Sequence, residues 1–239
     1  MLRISIKHAF ICQKNVEVFH ITKKWNGHRH RGKNFQLFQP NINKLLFQGK
    51  EARNRKSEGL RYAFLGTMCS LRGEFKKAIE YHKLYLSITK ELGDKEDERI
   101  AYSSLGIAFY KLGDFKQALQ YHNLHLRMAK EARNKHEEGS AYCNLGHAFH
   151  GLGDFKKAEE YHSLDLAIAK EIGSKAAEAR AFGNLGNAFY GFGEFRKGIE
   201  YHRQRLAIVK ELGNKAWEGD AYGDLGIGFF NVGNFEKVM

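Results

Sequence analysis

Proline is almost missing from this 239-residue chain; it occurs once, at Pro40. A chain with so little proline and no sustained Val/Ile/Thr alternation points to helices. Cysteine is scarce as well. Cys12, Cys69 and Cys143 are unclustered and form no C-x-x-C pair, which argues against a disulfide framework or a thiolate zinc site and for a reducing, cytoplasmic setting. No run of 18 apolar residues occurs, so no membrane span is expected. The opening MLRISIKHAFICQKN is broken by Lys7, His8 and Gln13, too polar for a secretory core, and it lacks the Ser and Arg richness of a transit peptide. No G-x-x-x-x-G-K-[ST], G-x-S-x-G or H-E-x-x-H is found, so no catalytic residue, cofactor or enzymatic activity is expected.

Acidic residues are nearly lacking from one part only. Residues 1–50 hold ten Lys/Arg and a single acid, Glu17. The rest of the chain balances 29 bases against 26 acids. The formal charge of +12 therefore belongs mainly to the first 50 residues. The tract Lys23-Lys24-Trp25 through Arg29-His30-Arg31 and Lys33 has the composition of a phosphate-binding or anionic-membrane segment. A solvated, irregular tail is the plainer expectation, and nucleic acid is not the expected partner.

What the chain has in abundance is repetition. Leu-Gly recurs every 40 residues, at 65–66, 105–106, 145–146, 185–186 and 225–226. Gly-Glu/Asp/Asn-Phe recurs in phase at 73–75, 113–115, 153–155, 193–195 and 233–235. Tyr-His pairs follow at 81–82, 121–122, 161–162 and 201–202, and Lys-Glu at 90–91, 130–131, 170–171 and 210–211.

Each unit reads as two helices. The spacing of Ile100, Ala101, Leu105, Ala108, Phe109 and Leu112 predicts a helix from Lys95 to Leu112. Gly113 ends it in the left-handed cap, and Asp114 caps the next by accepting from exposed backbone N–H groups. That second helix runs from Phe115 to Glu131, with Phe115, Ala118, Leu119, Leu126 and Ala129 inward. Gly106 and Ala118 are expected where the two helices approach closely. Tyr of each Tyr-His pair is expected in the seam, and His over it toward an outer or neighbouring face.

Tyr102, Leu105-Gly106, Phe109, Ala118 and the large residues 121–122 resemble the tetratricopeptide repeat (TPR) pattern. Ordinary TPRs repeat every 34 residues. The 40-residue form, carried by AYCNLGHAFHGLGDFKKAEEYHSLDLAIAKEIGSKA at 141–176, is similar to the repeats of the Pins/LGN polarity adaptors. It is also similar to those of the tetratricopeptide repeat protein 28-like proteins. The resemblance implies an all-α, right-handed TPR superhelical solenoid of helix-turn-helix repeats. Residues 1–39 fit no repeat and are expected to be a basic irregular tract, with the array at 40–239. The array divides into a partial repeat at 40–56, full repeats at 57–96, 97–136, 137–176 and 177–216, and a truncated repeat at 217–239. In the partial repeat, Asn41–Arg53 is expected to form a covering helix. In the truncated one, Gly233-Asn234-Phe235 is expected to begin a second helix that stops within its first turn, with self-association there as a consequence.

Two site readings follow. Equivalent histidines of stacked units lie at least a helix spacing apart, about 8–10 Å, too far to share one metal at about 2 Å per ligand. His122/His125 and His147/His150 have helical i, i+3 spacing but do not recur, so no metal site is expected. The resemblance also implies a concave groove lined by first helices, binding a partner peptide or helix. The matching positions are Ser104 and Tyr110 on one first helix and Asn144, His147 and His150 on the next. Arg180, Asn184, Asn187 and Tyr190 follow on the third, and Asp224 on the last. Asn144, Asn184, Asn187 and Tyr190 are the expected anchors, since Asn both donates and accepts and Tyr adds area with a polar tip. The cations that chaperone-tail binders use do not assemble, and Asp220 and Asp224 would repel a carboxylate. The expected role is a non-enzymatic scaffold or adaptor, with binding through the basic tract or service as the regulatory part of a larger multidomain protein as the alternatives.

Overall fold

The computed structural model describes residues 55–238, with side chains through 233. Expectations for residues 1–54, including the basic tract and the Asn41–Arg53 helix, lie outside the described residues. Nine helices and no strand occur among the described residues. They are α1 (Arg55–Leu71), α2 (Phe75–Leu92), α3 (Lys95–Leu112), α4 (Phe115–Glu131), α5 (Lys135–Gly151), α6 (Phe155–Glu171), α7 (Lys175–Gly191), α8 (Phe195–Glu211) and α9 (Lys215–Val238). The bounds of α3 and α4 match the sequence reading.

Local chemistry sets these ends. Gly113 and Gly153 take φ of +88° and +76°, the left-handed region where a β-carbon costs energy. Asp114 then accepts from the Gln117 N–H at 3.0 Å, and Asp154 from the Lys157 N–H at 3.1 Å. Between α4 and α5 the left-handed residue is Arg133, with φ of +53°. Glycine holds the corresponding place at 93, 173 and 213.

The chain divides into two compact units, one ending at Lys95 and the other beginning at Glu96. In the first, α1 and α2 pack as a helical hairpin around Tyr62, Leu65, Ala78, Ile79, Tyr85 and Ile88, all buried. In the second, α3 to α9 form a stack in which each helix packs on the next. The first helices α5 and α7 also touch directly. Leu105, Leu145 and Leu185 are fully buried, which at roughly 1.5–3 kcal/mol each makes them the constant core of the repeats.

Two expectations are corrected here. The histidines of the Tyr-His pairs do not cover the seam; they are its centre. His82, His122, His162 and His202 are all buried, while Tyr81, Tyr121, Tyr161 and Tyr201 are half-buried. Each ring lies against the Leu-Gly glycine of its own repeat, so a β-carbon on Gly66, Gly106, Gly146 or Gly186 would fall less than 3.0 Å from three imidazole atoms. Glycine at 106 therefore makes room for a side chain, His122, rather than for the opposing backbone. The tyrosine stacks instead on first-helix rings: Tyr121 on Phe109 at 5.3 Å, Tyr161 on Phe149 at 5.2 Å and Tyr201 on Phe189 at 5.2 Å.

The second correction concerns the last segment. Gly233 makes no turn; α9 runs unbroken through it for 24 residues. The earlier turn glycines precede full helices that pack back on the previous one. After Gly233 only six further residues follow in this sequence, so extending the helix by one hydrogen bond per residue wins over turning.

Candidate functional site

The expected lining residues fall on α3, α5, α7 and α9. Asn144 is buried; Ser104, Tyr110, His147, His150, Arg180, Asn184, Tyr190 and Asp224 are half-buried; Asn187 is exposed. Several are already bonded within the protein. The amide of Asn184 meets His147 Nε2 at 3.2 Å and donates to Cys143 Sγ at 3.4 Å. His147 also lies 6.1 Å from the Tyr110 ring and edge-on to His162 at 5.2 Å, while His150 is edge-on to Phe155 at 5.1 Å. Tyr110, His147 and Asn184 thus form a continuous row across three successive first helices.

Tyr190 is held more firmly than a surface anchor would be. Its hydroxyl donates to the Asp224 carbonyl at 3.0 Å. Its ring occupies a slot bounded by Gly198 of α8 and Gly228 of α9, where added β-carbons would come within 3.0 Å of it. The corresponding residues elsewhere are alanine, as at Ala118 and Ala158, or Ala148 and Ala188. Burial pushes the Tyr190 phenol up to about 12. Asn187 is the exposed position of the set.

Arg180 and Asp224 belong to a set of buried ion pairs that periodicity does not reveal. Arg180 donates to both oxygens of Asp165, at 2.9 and 3.2 Å. Asp224 pairs with Arg205 and lies 3.4 Å from His202 Nδ1. One repeat before Asp165, Glu137 pairs with Arg99 and meets His125 Nε2 at 3.2 Å. Burial pushes the Glu137 carboxyl up, but the bonds from His125 and Arg99 outweigh it and hold the group below its ordinary value. For Asp165 burial wins over Arg180, and the carboxyl is raised. A signal for these residues was present. His125, Asp165 and Arg205 occupy one repeat position, three residues after the invariant His, and differ in charge while their neighbours repeat.

These contacts bear on other chemistries. His125 is committed to Glu137, and His147 and His150 point to different neighbours. Among the described residues no group of three His, Cys, Asp or Glu side chains is arranged to hold a metal ion. Burial pushes the Cys143 thiol up to about 12, which leaves it protonated and a poor nucleophile. The same burial lowers the seam histidines: His82 and His202 to about 4, His122 to about 3 and His162 to about 2. They stay neutral and act as apolar core. No helix among the described residues is long and apolar enough to cross a membrane.

Solved structures share this architecture. BtubC from P. vanneervenii superposes with a TM-score of 0.69 at 21% identity, covering 83% of this chain and 84% of that one. A STAND signal-transduction ATPase from Pyrococcus horikoshii, described as having a tetratricopeptide repeat sensor, gives 0.70 at 19% identity. That match covers 78% of this chain and 29% of the other. The TPR-like repeats of a putative kinesin light chain from Podosopora anserina give 0.63 at 14% identity, covering 74% and 87%. At such identities the likeness shows the fold alone. No curated protein matches the chain. The tetratricopeptide repeat family model matches residues 60–131 and 137–211, more than half of the sequence. Together with the helix pairs and the repeated Leu-Gly seats, that places the chain in the tetratricopeptide repeat family.

Proposed function

We propose that this chain is a non-catalytic protein-interaction scaffold, working in the cytoplasm, that binds a peptide or helical segment of a partner protein along the first helices α3, α5 and α7. The observation that carries this is a contrast within the repeat. Core positions such as Leu105, Leu145 and Leu185 are invariant, whereas the less buried face changes: Ile107, His147 and Asn187 share one repeat position, and His150 stands where Tyr110 and Tyr190 stand in the flanking units. A surface that varies on a constant frame can read one ligand along its length. Tyr110, His147 and Asn184 form a pre-ordered floor, which lowers the ordering cost of binding. Asn187 and His150 offer the more accessible polar contacts to a ligand backbone.

The test begins with a partner captured on the full chain and then measured as a purified component. Asn187→Ala combined with His150→Ala should weaken binding at least about tenfold with helicity unchanged. Lys156→Ala on α6, an exposed second-helix position, should have no effect. Equal affinity for the double variant and the parent would overturn the proposal.

A further inference from the structure

The first-helix row also carries a charge preference for its ligand. Resting on the reading above, we propose that the partner segment is acidic, and that the Arg180 guanidinium receives one of its side-chain carboxylates.

The three first helices lack negative charge where the row runs. Residues 99–113, 139–153 and 179–193 contain no Asp or Glu, although 26 acids fall in residues 51–239. These stretches hold donors and cations instead: Lys111 is exposed, and His147, His150 and Arg180 are half-buried. Such a surface attracts an acidic segment and repels a basic one. Asp220 and Asp224 of α9 end the acid-free run, so the acidic part of the segment is confined to α3, α5 and α7.

Arg180 is the charged donor that remains underused. Its repeat position holds Ile100, Ser140 and Asp220 in the neighbouring units, so the cation is specific to α7. A purely structural arginine would close its fork on the acid, as Arg99 does. Arg99 gives both Nε and Nη2 to Glu137, and its side chain is 10% exposed. Arg180 reaches Asp165 through Nη2 alone, and its side chain is 32% exposed. Its Nε is enclosed without an acceptor among the described residues, which leaves Nη1 for a ligand. Asp165 fixes the planar guanidinium from the buried side. A charge-assisted bond to a second carboxylate is the stronger for that fixed geometry. Asn184 and Asn187 follow Arg180 at four- and seven-residue steps on the same side of α7. The segment can therefore run from Arg180 over the Asn184–His147 tie to Asn187.

The probe is a library of random 12-residue segments, displayed as internal inserts without a free carboxy-terminus and selected on the full chain. Selection is repeated on the chain carrying Asn187→Ala with His150→Ala, and segments lost there count as dependent on the row. The basic residues 1–50 are the same in both chains, so segments they attract are subtracted. Segments that depend on the row should be enriched in Asp and Glu over Lys and Arg. As a purified peptide, the best of them should bind Asn187→Asp at least about tenfold more weakly and Asn187→Lys no less tightly than the parent. Arg180→Lys, which keeps the charge but not the fork, should weaken it at least about threefold with helicity unchanged. Ser163→Asp, the addition of one acid at an exposed second-helix position, should leave affinity within about twofold. Row-dependent segments without acid enrichment, equal weakening by Asn187→Asp and Asn187→Lys, or full affinity for Arg180→Lys would overturn this inference and leave the first-helix reading standing. Finding no row-dependent segment would overturn both.

Discussion

The imidazole of His162 occupies the space that a β-carbon on Gly146 would need; three ring atoms lie less than 3.0 Å from that point. Gly146 lies inside α5, where alanine would normally gain up to about 1 kcal/mol of helix propensity. The seat reverses that sign. Gly146→Ala should lower stability by about 1–3 kcal/mol through overpacking, read as a drop in the urea midpoint. Adding His162→Ser should recover part of the loss, because the ring that the new methyl meets is then gone.

The buried histidines also set an acid limit. Their folded values lie below the ordinary 6.5, so the stability they contribute is complete above about pH 6.5 and is lost as pH falls toward the folded values. At pH 5 each should cost roughly 2 kcal/mol. The arginines that face them add to this direction, Arg180 at His162 and Arg205 at His202, whereas the Asp224 carboxylate, 3.4 Å from His202 Nδ1, opposes it there. Asp165 and Asp224, raised by burial, act in the opposite sense at lower pH. Thermal unfolding between pH 7.5 and 5 should show a falling midpoint, and His162→Gln should flatten the slope.

Ion pairs here should differ widely in value. Asp165 is 1% exposed and depends on Arg180, itself 32% exposed. Arg180→Ala should cost roughly 2–3 kcal/mol, less than a fully buried pair because solvent screens the arginine. Arg127 and Glu131 are each 67% exposed, and Arg127→Ala should change stability by less than about 0.5 kcal/mol. Chemical denaturation of both variants gives the comparison.

Tyr190 is a poor position for a binding test, because removing it alters the fold. Tyr190→Phe loses the bond to the Asp224 carbonyl and should cost about 1 kcal/mol. Tyr190→Ala leaves the Gly198–Gly228 slot unfilled and should cost about 3–5 kcal/mol. Equilibrium unfolding of the two variants separates the hydroxyl from the ring.

Arg133 bears a backbone strain that its counterparts avoid. At φ of +53° a non-glycine residue costs roughly 1–2 kcal/mol. Arg133→Gly should raise the unfolding midpoint, offset in part by the greater freedom of glycine in the unfolded chain. A lowered midpoint would show that the arginine side chain more than compensates for the strain.

What the sequence determined by itself was the local architecture. The bounds Lys95–Leu112 and Phe115–Glu131, the cap at Gly113 and the N-cap at Asp114 follow from apolar periodicity and from backbone groups bonding within a few residues of themselves. A 40-residue phase kept through five Leu-Gly marks then established the repeat. Tertiary structure decided which side chains would be available. His162 and Gly146 are 16 residues apart, Arg180 and Asp165 15, Asn184 and His147 37. Whether a histidine is surface or core, or an asparagine open or bonded, depends on the volume and charge that another helix delivers to the same point. The fate of Gly233 was decided in the same way. Its turn chemistry matches that of Gly113, but a left-handed turn persists only where the helix beyond it packs back and offsets the lost helical hydrogen bonds.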